Sequence, residues 1–418
     1  MPSTFRHAET IRSRRASREQ TSRATSSARN LMAFLVTGTT FFMLLAGVNL
    51  PTPLYAVYQQ RFHFSSAVLT LVFATYAIVL APSLLLFGQL SDRFGRRVVI
   101  SGGLAAAIVG LALFALARGT AWLFVARAAQ GLAVGAISGT ATAALVELEP
   151  SGDTRRAALP SGLAQAGGSG TGAVAAGALA QWAPAPRILS YLVWIGVMLA
   201  CVAAIARIPE PVQRRGEWRI QRPSVPAAIR VPFARATVAA TAFWAVAALY
   251  LSIVPSYVRK LLATHNLALV SALSALVLIA SCCGQVVTLR PRLNNRRAQA
   301  VGLVLLAAGL ALLVAAFPLH STAAVVASAL LAGLGHGVGF LAAQTEINDV
   351  APDDRRGEVT SAFAMCIYAG VATSVIGVGL LTLRFSLFAS VTALAVAIGA
   401  VAVATAVWQL GTHVRPGR

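Results

Sequence analysis

The chain has 418 residues, 57% of them hydrophobic and only 11% charged, with a formal net charge of +21. A soluble domain cannot bury that much apolar surface, so the composition places the chain in a lipid bilayer. The basic excess does not signal nucleic-acid binding, because it sits in short segments between apolar runs and no face combines arginines with aromatics.

Residues 1–30 are rich in arginine and serine and lack an apolar core, so they read as a disordered cytosolic tail rather than a secretory signal. Apolar runs then fall near 31–55, 68–90, 98–117, 122–147, 157–181 and 188–206. After a break they resume near 236–256, 268–289, 298–316, 322–347, 359–382 and 386–409. Each is long enough for a membrane helix, and the strict alternation of a membrane barrel is absent. The break at 207–235 is rich in proline and arginine and reads as a cytosolic linker between two six-helix bundles, 31–206 and 236–409, with 410–418 as a C-terminal tail.

Orientation follows from charge. With both termini cytosolic, 27 of the 34 lysines and arginines lie on the inner side, six lie on the outer side, and Arg127 lies inside a span. That asymmetry is the positive-inside pattern of a multi-pass protein of the bacterial cytoplasmic membrane. The four cysteines all fall in apolar runs without metal spacing and read as small buried hydrophobes.

The halves repeat. Pro53, Tyr55, His63, Gly131, Gly135 and Pro150 recur as Pro255, Tyr257, His265, Gly333, Gly337 and Pro352, every pair 202 residues apart. Six spans return the chain to the same side, so the halves are parallel repeats about an axis along the membrane normal.

Between spans 2 and 3 stands GQLSDRFGRR, residues 88–97. Gly88 would let a neighbouring helix approach, Asp92 suits a helix N-terminus, and Gly95 permits a tight turn. Arg93, Arg96 and Arg97 hold the segment at the anionic leaflet. In span 4, LFVARAAQGLAVGA carries Arg127, Gln130, Gly131 and Gly135. An arginine inside a span marks a functional site by default, although one this near a helix end can also reach out to the interface.

The G-x-L-x-D-R-x-G-R-R pattern resembles the signature loop of the major facilitator superfamily, and the span 4 stretch resembles that family's R-x-x-Q-G-x-x-x-G. The resemblance implies an all-α membrane protein of 12 transmembrane helices in two pseudo-symmetric bundles, and a secondary transporter working by alternating access. It also implies a cytosolic latch in which Asp92 meets the start of span 11 and Arg93 meets an acid at the inner end of span 4, with Glu147 as candidate. Drug–proton antiporters of the family carry a Gly/Pro-rich motif on span 5. GSGTGAVAAG at 168–177 keeps Gly168, Gly172 and Gly177 but has Ala173 for the proline and Ala176 for a glycine. Those glycines suit close helix packing.

Family architecture lines the central path with spans 1, 4, 7 and 10, which makes Asn49, Trp244, Tyr250 and Gln344 candidates alongside Arg127 and Gln130. No acid lies near the middle of a span, and His336 is the one mid-helix histidine able to titrate in a useful range. The expected activity is proton-coupled export of a small organic molecule by a monomer that needs no cofactor or metal. An organic-anion carrier and a non-transporting sensor on the same fold are the alternatives. No nucleophile elbow, phosphate-cradling loop or metal-spaced cluster supports an enzyme.

Overall fold

The computed structural model describes residues 29–149, 154–210, 224–288, 294–352 and 355–411, apart from the side chains of Gln89, Asp92 and residues 154–158. Every regular element among the described residues is helical. The N-terminal bundle holds α1 (Arg29–Phe62), α2 (Ser66–Phe94), α3 (Arg96–Ala115), α4 (Thr120–Leu148), α5 (Thr154–Trp182) and α6 (Pro186–Arg207). The C-terminal bundle holds α7 (Arg230–Ser252, continued as Val254–Leu262), α8 (Leu267–Thr288), α9 (Asn295–Ala316), α10 (Thr322–Val350), α11 (Arg356–Leu381) and α12 (Leu387–Gly411). Among the described residues, eleven helices are long and apolar enough to cross a membrane. The remaining span is α5, which the 5-residue π turn Ala164–Gly168 divides into Thr154–Leu163 and Ser169–Trp182.

Local chemistry sets the helix ends. Ser65, Asn294 and Ser321 cap α2, α9 and α10, each side chain accepting from the backbone N–H three residues on. Proline opens the segments Pro51–Phe62 and Pro186–Arg207, where its missing N–H leaves no helical bond unmade. Leucine, valine and isoleucine remain exposed along the helices, and those faces meet lipid rather than water.

The two bundles meet along α2 against α11 and α5 against α8. Small residues bring α5 and α8 together along their length: Gly162 faces Gln285, Gly170 faces Leu278, and Gly177 faces Ser271. At one end the Gln181 side chain accepts from the Leu267 N–H at 2.8 Å. At that same end Thr70 of α2 lies against Gly379 of α11.

The structure corrects several readings of the sequence. GQLSDRFGRR is hardly a loop: α2 runs to Phe94, α3 starts at Arg96, and Gly95 alone joins them at φ 99°. Gly88 serves no close packing, since a Cβ there would meet none of the described atoms within 4 Å. Helix α7 starts at Arg230 after the turn Ala227–Ile229, so Arg235 lies inside a helix and not in a linker. The tail 1–28, Pro150, linker residues 211–223 and residues 412–418 lie outside the described residues.

The repeat is real but not at one offset. Gly131 and Gly135 pack on the α2 backbone near Tyr76, Leu80 and Leu84, while Gly333 and Gly337 pack on α8 near Val277, Ser281 and Gln285. Tyr58 donates to the Phe114 carbonyl at 2.8 Å, and Tyr257 donates to the Leu313 carbonyl at 2.7 Å. Tyr257 therefore takes the place of Tyr58, not Tyr55, at an offset of 199. The reason is length: from the helix break to the left-handed cap, α1 spends 12 residues (Pro51–Phe62, capped by His63) and α7 only 9 (Val254–Leu262, capped by Ala263). His265 is thus not the counterpart of His63.

Candidate functional site

Between the bundles lies a cavity of about 60 Å³. It is lined by Leu45 and Asn49 of α1, Phe73, Tyr76 and Ala77 of α2, Ser138 of α4, Gln165 and Ser169 of α5, four residues of α7 including Trp244, and Tyr368 and Val371 of α11. Four aromatic rings come from three helices and from both halves. Asn49 Nδ2 donates to its own helix at Leu45 O, 2.9 Å, which leaves its other N–H and its carbonyl oxygen for the cavity. Gln165 reaches the cavity from the π turn of α5, and such a turn re-aims side chains by inserting one residue into the helical register.

Trp244 is held from within the C-terminal bundle. The rings of His336 and Phe340 meet it edge-on, with centroids at 5.1 and 5.5 Å. His336 is buried, and its Nδ1 shares a 2.8 Å hydrogen bond with Ser281 Oγ, while its Nε2 has no partner among the described residues. His336 therefore supports a cavity wall and does not itself line the cavity. Gln344 and Tyr250 do not line it either: Tyr250 is fully buried and hydrogen-bonds Ser328, which in turn donates to Gly309 O at 2.6 Å.

Arg127 is also set back from the cavity. It is 1% exposed, and its guanidinium lies 5.3 Å from the ring centres of Tyr55 and Phe73, 5.7 Å from that of Tyr76, and 5.8 Å from that of Phe114. It donates to Tyr55 OH, to Val48 O at 3.0 Å and to Gln130 Oε1 at 2.8 Å. Its partners are neutral oxygens and π faces, and Nη2 has no hydrogen-bond partner among the described residues. Phe73 and Tyr76 stand both in this cage and in the cavity lining, so they separate the charge from the cavity.

At the arginine-rich face the geometry differs from the expected latch. Glu147 is held by Arg96 at 2.9 Å; Arg93 is exposed, with its guanidinium 5.5 Å from the centre of the Phe94 ring. The three-residue step between them explains the exchange, because it moves the charge from the end of α2 to the start of α3, beside α4. The α3 N-terminus is capped by Glu210 just beyond α6, whose two oxygens accept from Arg96 N at 2.7 Å and Arg97 N at 3.1 Å. Gly95 is required twice: by its positive φ, and because a Cβ there would sit 2.8 Å from a Glu210 oxygen. Arg97 donates to the Ala206 carbonyl. The Asp92 side chain lies outside the described residues.

A second buried polar cluster escaped the sequence. Arg235 of α7 pairs with Glu346 of α10, both under 10% exposed. Gln299 of α9 donates to the other Glu346 oxygen, and Gln409 of α12 donates to Gln299 Oε1 at 2.7 Å. Arg296 donates to the Gln409 carbonyl at 2.6 Å. Glu346 reads from sequence as an acid near a helix end; the missed signal is Arg235, which lies 111 residues earlier in α7 and reads as part of a loop because it sits at the charged edge of an apolar run.

The glycines of α5 pack against neighbours. A Cβ at Gly168 would stand 2.5 Å from Phe42 O, and one at Gly172 would strike the Ala46 backbone of α1.

The family model described as the Major Facilitator Superfamily matches residues 37–375 and, in a second match, 291–416. No curated protein matches the sequence. Among solved structures, a mutant of the nucleoside transporter NupG superposes with a TM-score of 0.72 at 12% identity, covering 92% of this chain and 99% of that one. A POT family transporter in complex with 5-aminolevulinic acid superposes with a TM-score of 0.73 at 12% identity, covering 91% and 95%. With the family match spanning most of the chain and the twelve spans in two bundles, this multi-pass membrane protein belongs to the major facilitator superfamily of secondary transporters.

Proposed function

We propose that this protein exports a small organic molecule across a bacterial cytoplasmic membrane by alternating access, with protons as the coupling ion and both termini in the cytosol. The observation that carries the reading is the central cavity, walled by residues of both bundles at the seam where α2 meets α11 and α5 meets α8. Its 60 Å³ is far below the roughly 300 Å³ of a small-ligand site, so a substrate enters only when the bundles part. Rocking about that seam gives each side access in turn.

The arginine-rich face then acts as the latch. Arg96–Glu147 and the Glu210 cap join α3, α4 and the segment after α6 on one bundle, where Gly88, Asp92, Arg93, Gly95 and Arg97 also lie. For coupling, the reading points to the buried polar groups of the C-terminal bundle. Glu346 is a buried carboxylate facing Arg235 and Gln299, with Arg296 next in the chain of bonds, and His336 is a buried imidazole facing Ser281, Phe243, Trp244 and Phe340. Asn49, Gln130, Arg127, Gln344, Trp244 and Tyr250 belong to the substrate and proton pathway or its supporting shell.

Spin labels at His63 and Ala263, exposed residues at the same end of the two bundles, test this in a cysteine-free background. Pulsed dipolar measurements in nanodiscs should give two distance populations whose ratio moves as pH falls from about 8 to about 5. One unmoving distance at every pH would refute alternating access driven by protons and favour a non-transporting sensor.

A further inference from the structure

We infer that the central cavity selects flat, uncharged ring compounds bearing adjacent hydrogen-bond donor and acceptor groups. This rests on the transporter reading of the same cavity and names its substrate class.

The lining decides the matter by what it offers. Phe73, Tyr76, Trp244 and Tyr368 supply four ring surfaces, and the carboxamides of Asn49 and Gln165 supply paired donors and acceptors. Ser138 and Ser169 add hydroxyls, and among the described residues no lysine, arginine, histidine, aspartate or glutamate lines the cavity. A carboxylate or an ammonium entering it would lose its water without meeting a counter-charge, a penalty of several kcal/mol. Arg127 does not relieve that penalty for an anion, because Phe73 and Tyr76 stand between it and the cavity, while Tyr55, Val48 and Gln130 take its Nε and Nη1 donors. Glu346 does not relieve it for a cation, because Arg235 already neutralises it.

Flatness follows from the rings. Aromatic walls favour stacked or edge-on partners over globular aliphatic ones. Trp244 is a rigid wall, since His336 and Phe340 fix it edge-on from behind at interplanar angles of 82° and 87°. His336 is thus a positioning residue for Trp244. The amides then discriminate within flat compounds, because an analogue lacking the polar edge leaves Asn49 and Gln165 desolvated and unpaired.

The test uses three probes of one shape: naphthamide (neutral), naphthoate (anionic) and naphthamidinium (cationic). Binding of each radiolabelled probe is measured on full-length protein in nanodiscs at neutral pH. Naphthamide should bind at least about tenfold more tightly than either charged probe. Asn49→Ala and Gln165→Ala should each weaken it about fivefold or more, with unfolding midpoints near wild type. His336→Phe should weaken naphthamide while leaving its preference over the charged probes. A charged probe binding as tightly as the amide, or no binding by any of the three, overturns the inference.

The spin-label distances on the same preparation separate the two claims. Two populations with a charged probe preferred leave the transporter standing and remove the substrate class. One unmoving distance with the amide preferred does the reverse.

Discussion

The two bundles share one scaffold and spend charge differently on it. Where the N-terminal bundle sets Arg96 against Glu147 at 2.9 Å, the C-terminal bundle sets Asn295 against Asp349 at 3.1 Å, at offsets of 199 and 202. Where Arg97 donates to the carbonyl of Ala206, Arg296 donates to that of Gln409. The α3 terminus is capped by Glu210 from beyond α6, whereas α9 is capped by its own Asn294. The deep charges differ most: Arg127 is buried among neutral groups, and Arg235 is buried against Glu346. The halves therefore share contacts at matching places, Arg96–Glu147 and Asn295–Asp349, Arg97–Ala206 and Arg296–Gln409, while the groups that make them differ. The N-terminal bundle has an ionic junction at Arg96–Glu147; the C-terminal one has an acid, Glu346, in its interior.

That contrast can be broken in order of effect. Glu346→Ala should lower the unfolding midpoint most, because it removes one partner of a buried ion pair, at a loss of about 3–5 kcal/mol. Thermal unfolding in detergent checks it, and a shift no larger than that of an exposed control would contradict the assigned pair. Arg127→Ala should destabilise less, about 2–3 kcal/mol, since no orphan charge remains and only the cage around it is emptied. Should it prove more damaging than Glu346→Ala, the comparison of the two buried arginines inverts.

Gly95→Ala comes next, at about 1–3 kcal/mol, from its positive φ and the Glu210 contact. Adding Glu210→Ala should recover only part, because the backbone conformation remains strained; full recovery would show that the contact alone matters. Asn295→Ala should be smallest, under about 1 kcal/mol, since Asn295 and Asp349 meet at an exposed site. Arg96→Asn, which writes the C-terminal chemistry into the N-terminal junction, should change the ratio of spin-label distances more than the midpoint.

The sequence showed the scaffold far better than the cavity. Long apolar runs and the two motifs were enough for spans and family, because a membrane helix must be apolar over most of its length. That same uniformity hides the cavity. Helices such as α2 and α11 are apolar on every side, so no polar stripe distinguishes the faces of Phe73, Tyr76 and Tyr368 from those that touch lipid. The expected lining from spans 1, 4, 7 and 10 caught Asn49 and Trp244 but missed Gln165, whose placement depends on the π turn. Arg235 was missed for a different reason: charge next to an apolar run looks like a loop unless its buried partner, Glu346, is already known. Arg127 and Gln130 were legible as a pair, and the structure adds that their partners are rings and carbonyls.

The unequal segments after the α1 and α7 breaks bear on how halves of this protein can be exchanged. Twelve residues against nine is a difference of three, nearly one helical turn, which advances the helix by about 4.5 Å and rotates it by only about 60° short of a full circle. Such a deletion keeps most side chains on their original face, and Tyr257 still reaches a carbonyl as Tyr58 does. A chimera that grafts one half's segment onto the other by gapless alignment would bring its tyrosine to the wrong level of the bundle. Shifting the graft by three residues restores the bond.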